Sequence, residues 1–320
     1  MSELLQLEGV IPDESAGLRL DQALAQLFPE FSRGRITKWI KAGEVSVDEQ
    51  QFRPRDSVAG GEHIVIAAHV EVVDDTWTAE AIQLDIIHED DDVIIINKPA
   101  GMVVHPGAGN HQGTLVNALL HHAPQLETIP RAGIVHRIDK GTTGLLMIAK
   151  TLQAHNSLVN QLQEHTVLRE YQAIAMGVMT AGGTVDEPVG RHPVDRKRQA
   201  VIGSGKHAIT HYRVEHRYRA HTHIRCKLET GRTHQIRVHM AHIRYPLLGD
   251  PVYGGRIRLP KGASEQTIET LQGFRRQALH AGLLGFIHPA TEQEVSWQID
   301  LPADMQQMLE TLAQDQKENS

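Results

Sequence analysis

The chain has 320 residues, 40% hydrophobic and 22% charged, with a formal net charge of −7 at neutral pH. That length has room for about two ordinary domains, and the composition excludes a disordered or a fibrous chain. No apolar run approaches the roughly 18 residues of a membrane helix, the lone Cys226 offers neither a disulfide framework nor a zinc-binding pair, and Met1-Ser2-Glu3-Leu4 does not open a secretory signal, so a cytoplasmic protein is expected.

In chain order, residues 1–70 read as a small module. Leu20, Leu24, Leu27 and Phe28 share one helical face that Pro29 stops. Ser32 is placed to cap a second helix with a buried stripe of Ile36, Trp39 and Ile40. Arg33, Arg35, Lys38 and Lys41 fill its other faces, and no acid occurs among residues 31–41. Gly43 ends the helix, Val45 and Val47 open an alternating strand, and a turn leads to a strand over His63–Ile66. Two helices and a hairpin with these cations suit an RNA grip.

Glu71–Gln83 is acidic and poor in apolar residues, which predicts a linker over 71–82, a second domain over 83–310 and a flexible polar tail over 311–320. Beyond the linker, Ile82, Leu84 and Ile86 alternate with polar residues. Strands are expected at Val93–Ile96, Ile134–Ile138, Leu145–Ala149, Tyr171–Met176, Thr210–Val214 and Ile224–Leu228. Helices are expected at Leu115–His122, Leu152–Glu164 and His234–Ile243, the last capped by Thr233. Strands in adjacent runs with irregular helical insertions predict an α+β domain, a mixed, mainly antiparallel central sheet flanked by helices and loops.

The negative net charge hides a segregation. Residues 71–92 hold nine acids and no Lys or Arg, whereas residues 191–256 hold fourteen Lys or Arg against four acids. The second stretch is the electrostatic footprint of a phosphate-backbone partner, with Arg191, Arg196, Lys197 and Arg198 as its clamp. No phosphate loop or dinucleotide fingerprint is present, and the histidines form no His-Glu-x-x-His pattern, so no metal is expected. One carboxylate stands out. The expected apolar strand Ile134–Ile138 delivers Asp139 into a short polar loop, Lys140-Gly141-Thr142-Thr143-Gly144, before the chain re-enters the sheet. On these residues alone, Asp139 is either the cap of a turn or a rigidly held reactive group.

Two resemblances bear on these alternatives. Arg19-Leu20-Asp21-Gln22-Ala23-Leu24, Ser32-Arg33-Gly34-Arg35, Ile40-Lys41-Ala42-Gly43-Glu44-Val45-Ser46-Val47 and Gly61-Glu62-His63-Ile64 resemble the alpha-L RNA-binding module of a small-subunit ribosomal protein and several RNA-modifying enzymes. Asp48-Glu49 stands where that family usually has Asn-Gly. Further on, His136-Arg137-Ile138-Asp139-Lys140-Gly141-Thr142-Thr143-Gly144-Leu145 resembles the signature of pseudouridine synthases that modify large-subunit ribosomal RNA and related transfer RNA sites. Asn97-Lys98-Pro99-Ala100-Gly101, Arg169-Glu170-Tyr171-Gln172-Ala173, Thr230-Gly231-Arg232-Thr233-His234-Gln235-Ile236-Arg237-Val238-His239 and Gly249-Asp250-Pro251-Val252-Tyr253-Gly254 are similar to that family in the same order. Gly141 departs from the acidic or polar residue commoner there.

The resemblance implies that Asp139 is the catalytic aspartate, Tyr171 an active-site tyrosine and Arg237 a salt-bridge partner, acting on helix 69 of large-subunit ribosomal RNA. The chemistry agrees. Converting uridine to its carbon-linked isomer changes no redox state and adds no atoms, so no cofactor is needed, but it needs an ionised carboxylate beside the sugar. A neighbouring guanidinium favours the charged form of a carboxylate and can hold it by a forked hydrogen bond. A base in folded RNA must leave its stack first, so base flipping is expected, with Arg137, Arg232 and His234 among the RNA contacts. A monomer is expected, and the competing readings are a non-catalytic RNA-binding or ribosome-assembly protein or a family member that modifies transfer RNA.

Overall fold

In the computed structural model the described residues are 2–28, 31, 33–71, 77–107, 110–195 and 197–319. Pro29, Ser32, Arg196 and the 72–76 part of the expected linker lie outside them. The chain forms two compact units, Met1–Thr76 and Trp77–Ser320.

The first unit contains β1 (Ser2–Val10), α1 (Leu20–Leu27), α2 (Arg33–Ala42), β2 (Val45–Val47) and β3 (His63–Glu71). Its three strands run in the order β1-β3-β2, so β1, which the sequence reading omitted, covers the edge the expected hairpin would have left open. Ile36, Trp39 and Ile40 are buried with Leu20 and Leu24, as their spacing predicts. The turn after β2 puts Asp48 and Glu49 at φ of 48° and 64°, the left-handed geometry for which Asn-Gly is the usual solution. Asp48 steadies it by accepting from the amide of His63 at 2.9 Å.

The second unit is built on β4 (Ile86–Glu89), β5 (Val93–Lys98), α3 (Leu115–His122), β6 (Thr143–Ala149), α4 (Leu152–Gln163), β7 (Leu168–Met176) and β8 (Gly183–Asp186). There follow β9 (Val189–Arg191), β10 (Gln199–Val201), β11 (Ile209–Arg217), β12 (His221–Leu228), α5 (Gln235–His242), α6 (Glu265–Gly273), β13 (Leu279–Ile287), β14 (Glu294–Gln298) and α7 (Ala303–Glu318). Among the described residues, nine strands make one sheet in the order β4-β5-β6-β13-β7-β12-β11-β8, with β14 also on β13. All its pairings are antiparallel except β6 with β13, so the sheet is mixed and mainly antiparallel, as expected. In β5, Ile94 and Ile96 enter one core and Val93 and Ile95 the other. Both faces of the sheet are covered there, which is why that run shows no polar alternation.

Three expectations are corrected. No strand forms over Ile134–Ile138: only Ile134 bridges, to Ile148, and the amide of Met147 donates to Nε2 of His136 at 3.1 Å. A side chain thus supplies the acceptor that a strand carbonyl would have supplied. The linker is shorter than 71–82, because β3 runs to Glu71 and the 78–80 segment is bonded to α3, where Asn117 Nδ2 donates to the Thr78 carbonyl at 2.7 Å. Within the described part of the tail, 311–319, the chain is helical: α7 reaches Glu318 and buries Leu312 and Asp315, the latter paired with Arg219 at 2.9 Å.

Candidate active site

Asp139 sits in a loop clamped from several sides. The Thr142 amide donates to the Asp139 carbonyl at 3.0 Å, closing a turn, and the Gly101 amide donates to the Lys140 carbonyl at 2.8 Å. Lys98, fully buried at the end of β5, spreads its ammonium over the carbonyls of Pro99, Met102 and Lys140 at 2.7, 3.0 and 3.3 Å. Burial draws that ammonium down to about 8, against the attraction of Asp139. Gln277 donates to Thr142 Oγ1 at 2.9 Å, and its side chain fills the space a side chain at Gly141 would need.

Arg237 meets Asp139 across 98 residues of sequence: Nη1 donates to Asp139 Oδ2 at 2.8 Å. The expected fork is directed elsewhere. Nε and Nη2 of Arg237 grip both oxygens of Asp250 at 2.7 and 2.9 Å, leaving Asp139 a single bond. Asp250 also accepts from the amides of Val252 and Tyr253 at 2.9 and 3.0 Å. Burial works to raise the Asp250 carboxyl, but the Arg237 guanidinium and these amides outweigh it and hold it below the usual range. Gly249, at φ of 70°, permits the turn into Asp250, where a Cβ would lie 2.3 Å from the Arg276 carbonyl. Thr233 does not cap α5: His234 stands at the cap in a left-handed conformation, and the Gln235 side chain accepts from the Arg232 amide at 2.9 Å. His234 Nδ1 pairs with the Tyr253 hydroxyl at 2.8 Å and its Nε2 lies 3.9 Å from Asp139 Oδ1.

These groups line a cavity of about 750 Å³, within the roughly 300–1,000 Å³ range of small-molecule sites. Asp139, Tyr171, Arg237, Arg137, Arg232 and His234, all singled out in the sequence, meet there. His105, Arg131 and Arg169 join them without having been singled out. Asp139 is the sole acid among the described lining residues, against five arginines, so the cavity suits an anionic guest. Tyr171 is buried, and burial, reinforced by Asp139 and partly offset by Arg169, pushes its phenol up.

The other expected RNA contacts are scattered. Arg191 and Lys197 are exposed, while Arg198 is half-buried with its guanidinium 5.4 Å from the Tyr253 ring centre. On α2, Lys38 and Lys41 are exposed and Arg35 lies 5.8 Å from the Trp39 ring centre. Arg33 binds Asp21 of α1 at 2.9 Å, so an acid from the neighbouring helix offsets one of the four cations.

His136 carries a pH consequence. Burial, helped by the charge of Arg169, pushes its imidazole from 6.5 down to about 3. Between those values the unfolded chain binds the extra proton, so this residue's contribution is whole above pH 6.5 and is lost as pH falls towards 3. The residue as a whole is only half-buried, which discounts the loss at pH 5 to about 1–2 kcal/mol. Urea unfolding of wild type and His136→Gln at pH 7 and 5 is expected to show a shallower pH slope in the variant, whose amide oxygen still accepts from Met147.

The fold and site together define an RNA-modifying isomerase, and comparison with known proteins agrees. Residues 92–242 match a family described as RNA pseudouridylate synthase, and residues 18–64 match the S4 domain. The chain belongs to the RNA pseudouridylate synthase family and is a pseudouridine synthase. It is 55% identical to the "Ribosomal large subunit pseudouridine synthase D" of Pseudomonas aeruginosa, over 99% of each chain. The protein of that name in Escherichia coli K12 is 52% identical over 100% of this chain and 98% of its own. The solved structure of human RNA pseudouridylate synthase domain containing 4 superposes with a TM-score of 0.56 at 27% identity, covering 71% of this chain and 92% of that one.

Proposed function

We propose that this protein converts specific uridines of large-subunit ribosomal RNA to pseudouridine, in the helix 69 stem-loop, as a cytoplasmic monomer. The names of its relatives support the RNA class, and the resemblance of the signature motifs supports the stem-loop. One observation carries the catalytic part: Asp139, Tyr171 and Arg237 converge on one cavity whose other charged walls, among the described residues, are arginines.

The target nucleotide leaves its stack and enters the cavity, its base against the Tyr171 ring and its phosphates near Arg137 and Arg232. Asp139 is the catalytic carboxylate. Arg237 occupies Oδ2, so Oδ1 is the oxygen free to meet the sugar or the ring. Arg237 is a positioning residue, itself fixed by Asp250. The first unit grips neighbouring RNA through exposed cations such as Lys38 and Lys41, with Arg33 held by Asp21.

Transcripts of large-subunit ribosomal RNA and of transfer RNA, tritiated at uracil C5, test the substrate. Tritium release from the helix 69 uridines is expected, with none from transfer RNA. Release from transfer RNA alone would reassign the substrate.

A further inference from the structure

Arg169 has no place in the account above, yet it is 6% exposed and lines the cavity. It precedes Tyr171 by two residues on β7, so both side chains leave the same face of the strand. Among the described residues no carboxylate pairs with it. Nη2 donates to the Glu229 carbonyl at 3.0 Å, Nε is sealed without an acceptor, and Nη1 has no acceptor in the protein but is not sealed. A buried guanidinium so poorly satisfied is costly unless a ligand completes it. Gly231 leaves room for this arrangement, since a Cβ there would stand 2.7 Å from Nη1.

The geometry points to Arg169 as a catalytic residue that donates from Nη1 to a carbonyl oxygen of the flipped uracil and holds the negative charge that forms on the ring. This rests on the cavity being the uridine pocket. Depth favours the base over a phosphate: the base is the part of a flipped nucleotide that penetrates furthest, and Tyr171, its proposed platform, stands beside Arg169. When the C1′–N1 bond breaks, its electron pair stays on the ring, shared by N1 and the two carbonyl oxygens. The ring then turns, C5 bonds to C1′, the C5 proton leaves and N1 takes one up. A fixed cation at a carbonyl stabilises the middle of that sequence and leaves the stacked substrate untouched. An arginine has donors only, so a contact at O4 also favours uracil over cytosine, which carries an amino group there, whereas a contact at O2 does not separate the two bases.

In single-turnover assays of the full-length protein, Arg169→Gln is expected to slow conversion roughly 100-fold, with RNA affinity kept within about threefold. Gly231→Ala, which pushes Nη1 aside at the far end of a flexible side chain, is expected to slow it likewise without lowering the melting temperature. RNA carrying 2-thiouridine or 4-thiouridine at the target separates contact from scaffold. Sulfur at the contacted carbonyl should slow wild type and cost Arg169→Gln nothing further. Losses that simply multiply for both thio substrates, or a wild-type rate in either variant, overturn the assignment. If Asp139→Asn retains activity, the pocket reading itself falls; if Asp139→Asn is dead and the losses multiply, only Arg169 does.

Discussion

Asp139→Asn is expected to abolish tritium release from C5-labelled ribosomal RNA, with a loss on the order of 10⁴-fold or more, while RNA affinity at fixed salt changes little. The asparagine oxygen can still accept from Arg237 Nη1, and Arg237 keeps its fork on Asp250, so the cavity walls stay in place. The turn through Thr142 and the Lys98 bridge use backbone carbonyls, which the substitution leaves alone. What disappears is the negative charge on Oδ1, the oxygen Arg237 leaves free. Affinity follows the arginines of the cavity and the cations outside it, so it is expected to hold or tighten as the one acid among the described lining residues is neutralised. A turnover rate near wild type would remove Asp139 from the chemistry.

Much of this site was legible because its parts are local in sequence. The Asp139 loop, Tyr171 on its strand and Arg237 on its helix each sit in a short motif, and the strand expected over Ile224–Leu228 forms as part of β12. What escaped depends on contacts between distant residues. The absence of a strand at Ile134–Ile138 turns on one His136 imidazole reaching the Met147 amide. Asp250 sat in a quoted motif without a role, because nothing in its neighbours says that Arg237 spends its fork there. β13 carries Gly282 and Gly285, which weaken its strand signature, and it is fixed by neighbours on both sides. α7 was not read, although Met305, Met308 and Leu312 make its buried stripe, because its polar end suggested a tail, and Arg219 ties that end down through Asp315.

Asp250→Asn is expected to damage stability and catalysis together. The Asp250 side chain is fully enclosed and that of Arg237 is 5% exposed, so the variant strands a buried guanidinium with an amide in place of a carboxylate. Breaking one partner of a buried pair costs about 3–5 kcal/mol, with the lower end expected because Asp139 remains. That same remaining partner is the source of the catalytic defect. Freed from its fork, Arg237 can turn both donors onto Asp139 and engage Oδ1 as well as Oδ2. A displacement of this size is worth roughly 100-fold in rate, and it should appear in the single-turnover rate while RNA affinity holds. The acid limb supplies a separate check. Asp250 titrates below its unfolded value, so its contribution to stability is whole above the unfolded value of about 3.9 and is lost as pH falls through the folded one. Urea unfolding of the variant should therefore lose the component below about pH 4 and keep the loss that begins near 6.5 with His136. A variant as stable and as fast as wild type would mean that Arg237 does not depend on Asp250 for its position.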